Sequence, residues 1–187
     1  MSPAALAPAF SPAEEEMLIP AVEADGSLSP IRKIEAHRTG QLHLAVSVFV
    51  FDPRRRLLLQ RRAAKKYHCP GMWANTCCTH PHWGEDLEVA AHRRTAEELG
   101  FDIPLQRQRT IDYRTPVGNE LVEHERVTMF TAVTEADTVE VRPNPNEVDA
   151  FDWLTVERIR QKRDAGAIVL APWFAIYLER YPDLRFD

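Results

Sequence analysis

The stretch EDLEVAAHRRTAEELG, residues 85–100, decides the reading of the fold. It predicts a helix over residues 85–99. Glu85, Asp86 and Glu88 are placed in its first turn, where carboxylates face the positive end of the helix dipole. Gly100 follows as the stop signal. Upstream lies AAKKYHCPGMWANTCCTHP, residues 63–81, read as a loop with a short strand. It is too long and too rich in Trp, His and Cys for a plain connector, and such loops inside a domain usually carry function. Before it, HLAVSVFVF (43–51) is β-branched and aromatic, apolar on both faces, and therefore expected to be a central strand. Asp52-Pro53 breaks that strand, and LLLQRR (57–62) returns as the other arm of a hairpin.

Near the N-terminus, MLIPAV reads as a short strand, ADGSLS as a turn, and PIRKIEAH as a helical turn with Pro30 at its start. Downstream, IDYRTPV and LVEHERVTMFTAV are strands joined by a turn at Gly118-Asn119, and VDAFDWL is a shorter strand. WLTVERIRQKRDAG is an amphipathic helix ending at Gly166, and APWFAIYLERY begins a last helix with Pro172 near its start. No internal repeat is visible. A β-rich middle with a mid-chain helix and a helical end implies an α/β sandwich, a mixed sheet with flanking helices.

A chain of 187 residues is long enough for one domain with a core of its own. Its 44% hydrophobic and 27% charged residues are the profile of a globular protein, and no apolar run approaches the ~18 residues of a membrane span. The opening MSPAALAPAFSPAEEE has no early Lys or Arg and no compact apolar segment, so no signal peptide is expected. Its Ala/Pro composition predicts a flexible extension over residues 1–16, with the domain over 17–187 and a cytoplasmic location. Cys69, Cys77 and Cys78 cannot all pair and are read as reduced thiols. A net charge of −5 argues against nucleic acid as a partner. It leaves an anionic small molecule open, because Arg61, Arg62, Lys65 and Lys66 lie together, with Arg93 and Arg94 further on.

Three groups of residues carry chemistry. In Glu123-His124-Glu125 on a strand, period two puts both glutamates on one face and His124 on the other. Two adjacent carboxylates repel unless a cation lies between them, and the alternative is a solvated sheet edge. His37, His43 and His80 form the second group; a lone histidine is more often structural. Three neutral imidazoles with two carboxylates, however, suit an octahedral divalent metal. The third group is the helix itself. Its HRRTAEELG resembles the second half of the Nudix box, G-x5-E-x7-R-E-U-x-E-E-x-G-U with U an aliphatic residue. Counting back from Gly100, Glu97 and Glu98 match the paired glutamates, Arg93 the arginine and Glu85 the first glutamate. Thr79 stands where the box has its first Gly, and Arg94 where it has a glutamate that Nudix hydrolases use to hold metal. Replacing a carboxylate by a guanidinium removes an oxygen ligand and installs an anion binder. The plain alternative for Arg94 and Glu98 is a surface i, i+4 ion pair.

Beyond the box the resemblance is to type 1 isopentenyl diphosphate isomerases. WANTCCTHP resembles that family's W-T-N-S/T-x-C-G/S-H-P block, and RRAAKKYHCPGMW resembles the R-R-A-x-x-K and P-G-x-W approach to it. KIEAHRTGQLHLAVSVFVF is similar to the stretch with two metal histidines, LVEHERV to the E-N/H-E block, and DYR and APWF match further points. The similarity spans about Lys33 to Tyr177. It implies a Nudix-like α/β/α sandwich and interconversion of isopentenyl and dimethylallyl diphosphate, by protonation at one carbon and deprotonation at another.

The resemblance also assigns roles. Cys78 and Glu125 take the catalytic positions, with Tyr113 beside Glu125 in proton delivery and Cys78 collecting or relaying the other proton. Trp173 faces the developing carbocation, where an indole contributes on the order of 2 kcal/mol when desolvated. His37, His43, His80, Glu123 and Glu125 are the implied ligands of one divalent metal, Mn²⁺, Zn²⁺ or Mg²⁺. Lys33, Arg62, Lys66 and Arg94 contact the diphosphate, whose Mg²⁺ is held by Glu98 and the backbone carbonyl of Cys78. Arg61 and Lys65 are left outside the site as surface charges, and Arg93 is assigned to the helix. Plain alternatives are a small buried thiol for Cys78 and ordinary helix packing for Trp173. The rival functions are a Nudix diphosphate hydrolase and a non-catalytic Nudix-like binding domain.

Overall fold

The computed structural model describes residues 15–186, so most of the extension expected over residues 1–16 lies outside the described residues. Among the described residues nine strands form one mixed sheet: β1 (Leu18–Val22), β2 (Leu28–Arg32), β3 (His43–Phe51), β4 (Arg56–Arg62), β5 (Trp73–Ala74), β6 (Cys77–Thr79), β7 (Gln106–Gly118), β8 (Leu121–Val133) and β9 (Val148–Thr155). The helices that join them are α1 (Lys33–Thr39), α2 (Leu87–Leu99), α3 (Val156–Asp164) and α4 (Pro172–Arg180). None is long and apolar enough to cross a membrane.

The apolar run 43–51 is central. Along one side β3 pairs with β8 in parallel over its whole length. Its other side is divided among β1, β6 and β4. Alternation then sorts the side chains into two cores. Val46, Val48, Val50 and Leu58 pack with Ala91 and Leu99 of α2. Ala45, Phe49, Leu57 and Leu59 pack with Ile159 of α3 and with Phe174, Tyr177 and Leu178 of α4. The sheet is therefore covered on both faces, the sandwich that the pattern of elements implies.

Two local expectations are corrected. Helix α1 starts at Lys33 rather than at Pro30. Pro30 lies in β2 opposite Pro20 of β1, in an antiparallel pair at the outer end of the sheet. There a residue without an N–H can be tolerated. Helix α2 starts at Leu87, with Asp86 as its cap accepting from the N–H groups of Glu88 and Val89. Glu85 precedes the helix and holds Arg93 instead. The helix ends at Gly100 (φ 75°), where a Cβ would stand 2.7 Å from the carbonyl oxygen of Arg142. Only glycine fits there.

Candidate active site

Four elements deliver the histidines and glutamates to one place. His37 lies in the last turn of α1, His43 opens β3, and His80 follows β6. Glu123 and Glu125 share one face of β8, where His43 is in register with Glu125. They do not sit on a solvated edge: Glu123 is 3% and Glu125 7% exposed. His124, on the opposite face, contacts the carbonyl of Gly40 through Nδ1 at 2.8 Å.

Donor atoms of His37, His43, His80 and Glu123 all lie within 4.8 Å of one another. His37 Nδ1 is 2.6 Å from the carbonyl of Lys33, and His43 Nδ1 is 2.7 Å from the carbonyl of Gln41. A carbonyl only accepts, so both rings carry a proton on Nδ1 and turn Nε2 inward. His37 Nε2 stands 3.2 Å from Glu123 Oε2, and both buried atoms lack a hydrogen-bond partner. His43 Nε2 stands 3.2 Å from His80 Nε2. Ring nitrogens and carboxylate oxygens converging this closely suit a cation, and three imidazoles with carboxylates fit a divalent metal. Glu125 lies outside this tightest group of four. Its Oε1 is 2.8 Å from His80 Nε2, and its Oε2 accepts from the Tyr113 hydroxyl at 2.5 Å.

Burial sets the protonation states. It takes His43 down to about 4, with neighbouring His37 adding to the shift, and it takes His80 well below the ordinary histidine value. His43 and His80 are therefore neutral, the form that binds metal. Burial alone pushes Glu123 up, but the electrostatic pull of His37 foremost outweighs it and holds the carboxyl well below the ordinary value. Glu125 goes the other way, raised by burial and then by the charge of Glu123. One carboxylate is thus ionised while its neighbour keeps its proton.

These groups open onto a cavity of about 710 Å³, lined by Lys33, Arg62, Lys66, Cys78, His80, Arg94, Glu98, Tyr113, Glu123, Glu125 and Trp173. Of the residues expected in the site only His37 and His43 do not line it; they lie behind, fully buried. Cys77 and Cys78 are separated by strand alternation: Cys77 is in the α2-side core, while Cys78 faces the cavity. Asn75 donates to the carbonyls of Val48 and Cys77, so its Oδ1 is what faces Cys78 Sγ, at 3.1 Å. Ser47 Oγ lies 3.3 Å from the same sulfur and 3.1 Å from the hydroxyl of Tyr177. Burial pushes the Cys78 thiol up to about 12 against the opposing effect of Ser47, so it rests protonated.

The cations line the same cavity. Arg62 has its guanidinium 5.2 Å from the Trp173 ring centroid and donates to the carbonyl of His68 at 3.2 Å. Lys33 lies over the ring of Tyr67 at 5.2 Å. Arg94 meets Glu98 at 2.8 Å and Glu97 at 3.0 Å. The second oxygen of Glu98 accepts from Gln60 at 2.7 Å. The Arg94–Glu98 pair is not a surface pair, since Glu98 is only 6% exposed; it belongs to a network. Lys65, expected outside the site, also lines the cavity and donates to Asn146. Arg93 is locked by two bonds to Glu85, at 2.7 and 2.8 Å, and Arg61 is exposed on β4.

Among the cavity residues that the sequence reading did not single out, two bear directly on the site. His68 is buried at 3.4 Å from Glu123, and Glu147 binds both Lys66 and Arg94. The first lies in the loop whose composition marked it as functional; the second follows a stretch without a motif.

Comparison with known proteins identifies the family and the fold. The NUDIX domain family model matches residues 41–174. The chain is 44% identical over 173 residues to the isopentenyl-diphosphate Delta-isomerase of Rhodobacter capsulatus, covering 92% of this chain and 96% of that protein. It is 47% identical over 161 residues to the protein of that name from Roseobacter denitrificans, covering 82% and 87%. Among solved structures, DR0079 from Deinococcus radiodurans superimposes with a TM-score of 0.67 at 20% identity, over 87% of this chain and 98% of that one. A MutT protein from Methanosarcina mazei gives 0.59 at 17%, over 75% and 93%. The structural matches show a shared fold. The sequence matches reach further: this chain belongs to the isopentenyl-diphosphate Delta-isomerase family, built on a NUDIX domain.

Proposed function

We propose that this protein interconverts isopentenyl diphosphate and dimethylallyl diphosphate in a metal-dependent proton transfer. The observation that supports it best is one cavity holding an imidazole–carboxylate cluster, a protonated thiol and a group of cations. His37, His43, His80, Glu123 and Glu125 would hold one divalent ion, Mn²⁺, Zn²⁺ or Mg²⁺. Glu98 and the carbonyl of Cys78 would hold a diphosphate-bound Mg²⁺. When bound, the first ion would set the acidity of Glu125 and the second would offset phosphate charge.

An alkene is a very weak base, so the transition state resembles a tertiary carbocation and needs a placed acid, a placed base and a dry wall. Glu125 keeps its proton in a buried setting and is hydrogen-bonded to Tyr113, so this pair delivers it to the terminal carbon. Cys78 first gives its own proton to solvent, a step that Ser47 favours. As a thiolate it then takes the proton from the other position and returns to the thiol, while Glu125 regains its proton from solvent. In the reverse direction the resting thiol is the donor. Trp173 supplies an aromatic wall, 3% exposed. Lys33, Arg62, Lys66 and Arg94 anchor the diphosphate. Arg94, in place of a carboxylate, turns that part of the helix from cutting a diphosphate to holding one.

The test is to incubate the protein with isopentenyl diphosphate and Mg²⁺ or Mn²⁺, following dimethylallyl product by NMR and phosphate by a colour assay. Product without phosphate supports the reading, and a chelator should abolish it until metal is returned. Phosphate release without dimethylallyl diphosphate marks a hydrolase, and no turnover marks a binding domain.

A further inference from the structure

We infer that His68 is a positioning residue of the metal centre, the group that fixes the carboxylate of Glu123 in its ligating orientation. The inference rests on the reading of the His/Glu cluster as a metal site. It concerns a residue outside the five proposed ligands.

Glu123 divides its two oxygens between two sides. Oε2 faces the cluster, 3.2 Å from His37 Nε2 and 3.9 Å from His80 Nε2. Oε1 faces away from these contacts, 3.4 Å from His68 Nε2. An ionised carboxylate only accepts, so the imidazole that satisfies it carries its proton on Nε2 and leaves its lone pair on Nδ1. That agrees with His68 Nδ1, which is buried without a hydrogen-bond partner. A donor beside the outer oxygen, here at a long 3.4 Å, favours the carboxylate orientation that keeps the inner oxygen on the cluster. Ligating carboxylates are commonly held in this way by a neighbouring donor.

The imidazole itself is tightly placed. Its ring lies 4.4 Å from that of Tyr67, 6.2 Å from that of His37 and 5.7 Å from that of Trp173, centroid to centroid. The chain turns back immediately after it through Cys69, whose φ of 48° is a left-handed conformation uncommon for a residue with a Cβ. The main chain is fixed as well, because Arg62 donates to the His68 carbonyl through Nε and Nη2 at 3.4 and 3.2 Å. His68 thus presents its ring to a metal ligand and its carbonyl to a residue of the diphosphate group. Only the first function depends on the side chain.

That division sets the experiment. The metal-stripped full-length protein is titrated with Mn²⁺ alone, free ion being read by EPR, for the wild type, His37→Ala, His68→Phe and His68→Gln. His68→Phe keeps a ring and loses the donor, and its dissociation constant should rise about 10–100-fold. His68→Gln offers an amide N–H in place of the ring nitrogen and should bind within about threefold of the wild type. Affinity for inorganic pyrophosphate should stay within about twofold in both, since the carbonyl used by Arg62 is unchanged. Should His68→Phe fail to fold by circular dichroism, His68→Asn, whose amide is too short to reach Oε1, replaces it with the same expected loss. Unchanged Mn²⁺ affinity in the donor-less variant, alongside normal wild-type binding and loss in His37→Ala, overturns the role of His68 alone. Equal loss in His68→Gln and His68→Phe, or parallel loss of pyrophosphate binding, also overturns it, as general damage to the loop. A wild type that binds no Mn²⁺, or binds it equally well as His37→Ala, overturns the metal reading and this inference together.

Discussion

One carboxylate oxygen of Glu147 stands 2.5 Å from Nη2 of Arg94, and the same oxygen is 2.7 Å from Nζ of Lys66. Two of the four cations proposed to receive the diphosphate are therefore already joined by an anion of the protein. The contact holds two long side chains in place, and an incoming diphosphate must compete with it for them.

Glu147→Gln leaves Arg94 and Lys66 side by side with less compensation. Breaking a fully buried pair costs several kcal/mol. These side chains are 11–20% exposed, so a loss of about 1–2 kcal/mol is expected, or about 2–8 °C in Tm for a chain of this size. Pyrophosphate should then raise the Tm of the variant more than that of the wild type, because it replaces the missing charge. Thermal melts with and without pyrophosphate check both statements. A smaller pyrophosphate shift in the variant contradicts the competition.

The same contact has a pH signature. Burial pushes the Glu147 carboxyl up, but Lys66 and Arg94 outweigh it and hold it below the ordinary value of 4.5. A carboxylate depressed in the folded state stabilises above its unfolded pKa and loses that contribution as pH falls through the folded one. The Tm difference between wild type and Glu147→Gln should be full between about pH 6 and 8 and close progressively below about pH 4.5. Melts across that range decide it, and a gap that widens on acidification runs against the assignment.

Which parts of this molecule were legible in advance follows from what each signal measures. The strand 43–51 announced itself because it is buried on both faces, and the helix ending at Gly100 because its stop requires a residue without a Cβ. Period two placed Glu123 and Glu125 on one face. It could not tell a solvated edge from a buried cluster, since that depends on β3, α1 and His80 arriving from elsewhere in the chain. Glu147 was silent for a related reason: its partners lie 81 and 53 residues away, and no periodicity encodes a contact at that range. His68 was hidden among seven histidines, as nothing local separates a ring aimed at Glu123 from one in solvent. Pro30 misled because its tolerance at a helix start is shared by an outer strand.

Trp173 tests the electrostatic part of the mechanism. Its ring already has the Arg62 guanidinium 5.2 Å from its centroid, so on the proposed mechanism one aromatic ring would serve a permanent cation and a transient one. Charge on the substrate carbon develops only in the transition state, so the contribution should appear in kcat and leave KM nearly unchanged. Trp173→Leu should lower kcat about 30-fold, the equivalent of about 2 kcal/mol, with Trp173→Phe falling between. Steady-state kinetics on isopentenyl diphosphate read the split. A rise in KM at constant kcat assigns the ring to supporting Arg62 instead.

The proton-transfer pair is tested by removing one proton site at a time. Cys78→Ala deletes the thiol, whose present contacts are Asn75 and Ser47, and Glu125→Gln keeps the shape of the carboxyl without an exchangeable acid. Each should lower turnover by about 10³-fold or more, within or beyond the usual range for a positioned acid or base. Circular dichroism should remain native, because neither change opens a large core cavity. The double variant should be little worse than the slower single one, since both groups act on one reaction coordinate and their effects do not add. Exchange of substrate protons with D₂O, followed by NMR, separates the two ends of the reaction. Cys78→Ala should still incorporate deuterium more readily than Glu125→Gln if Glu125 and Tyr113 deliver the proton. A fully active Cys78→Ala removes the thiol from the mechanism, whatever the fate of Glu125.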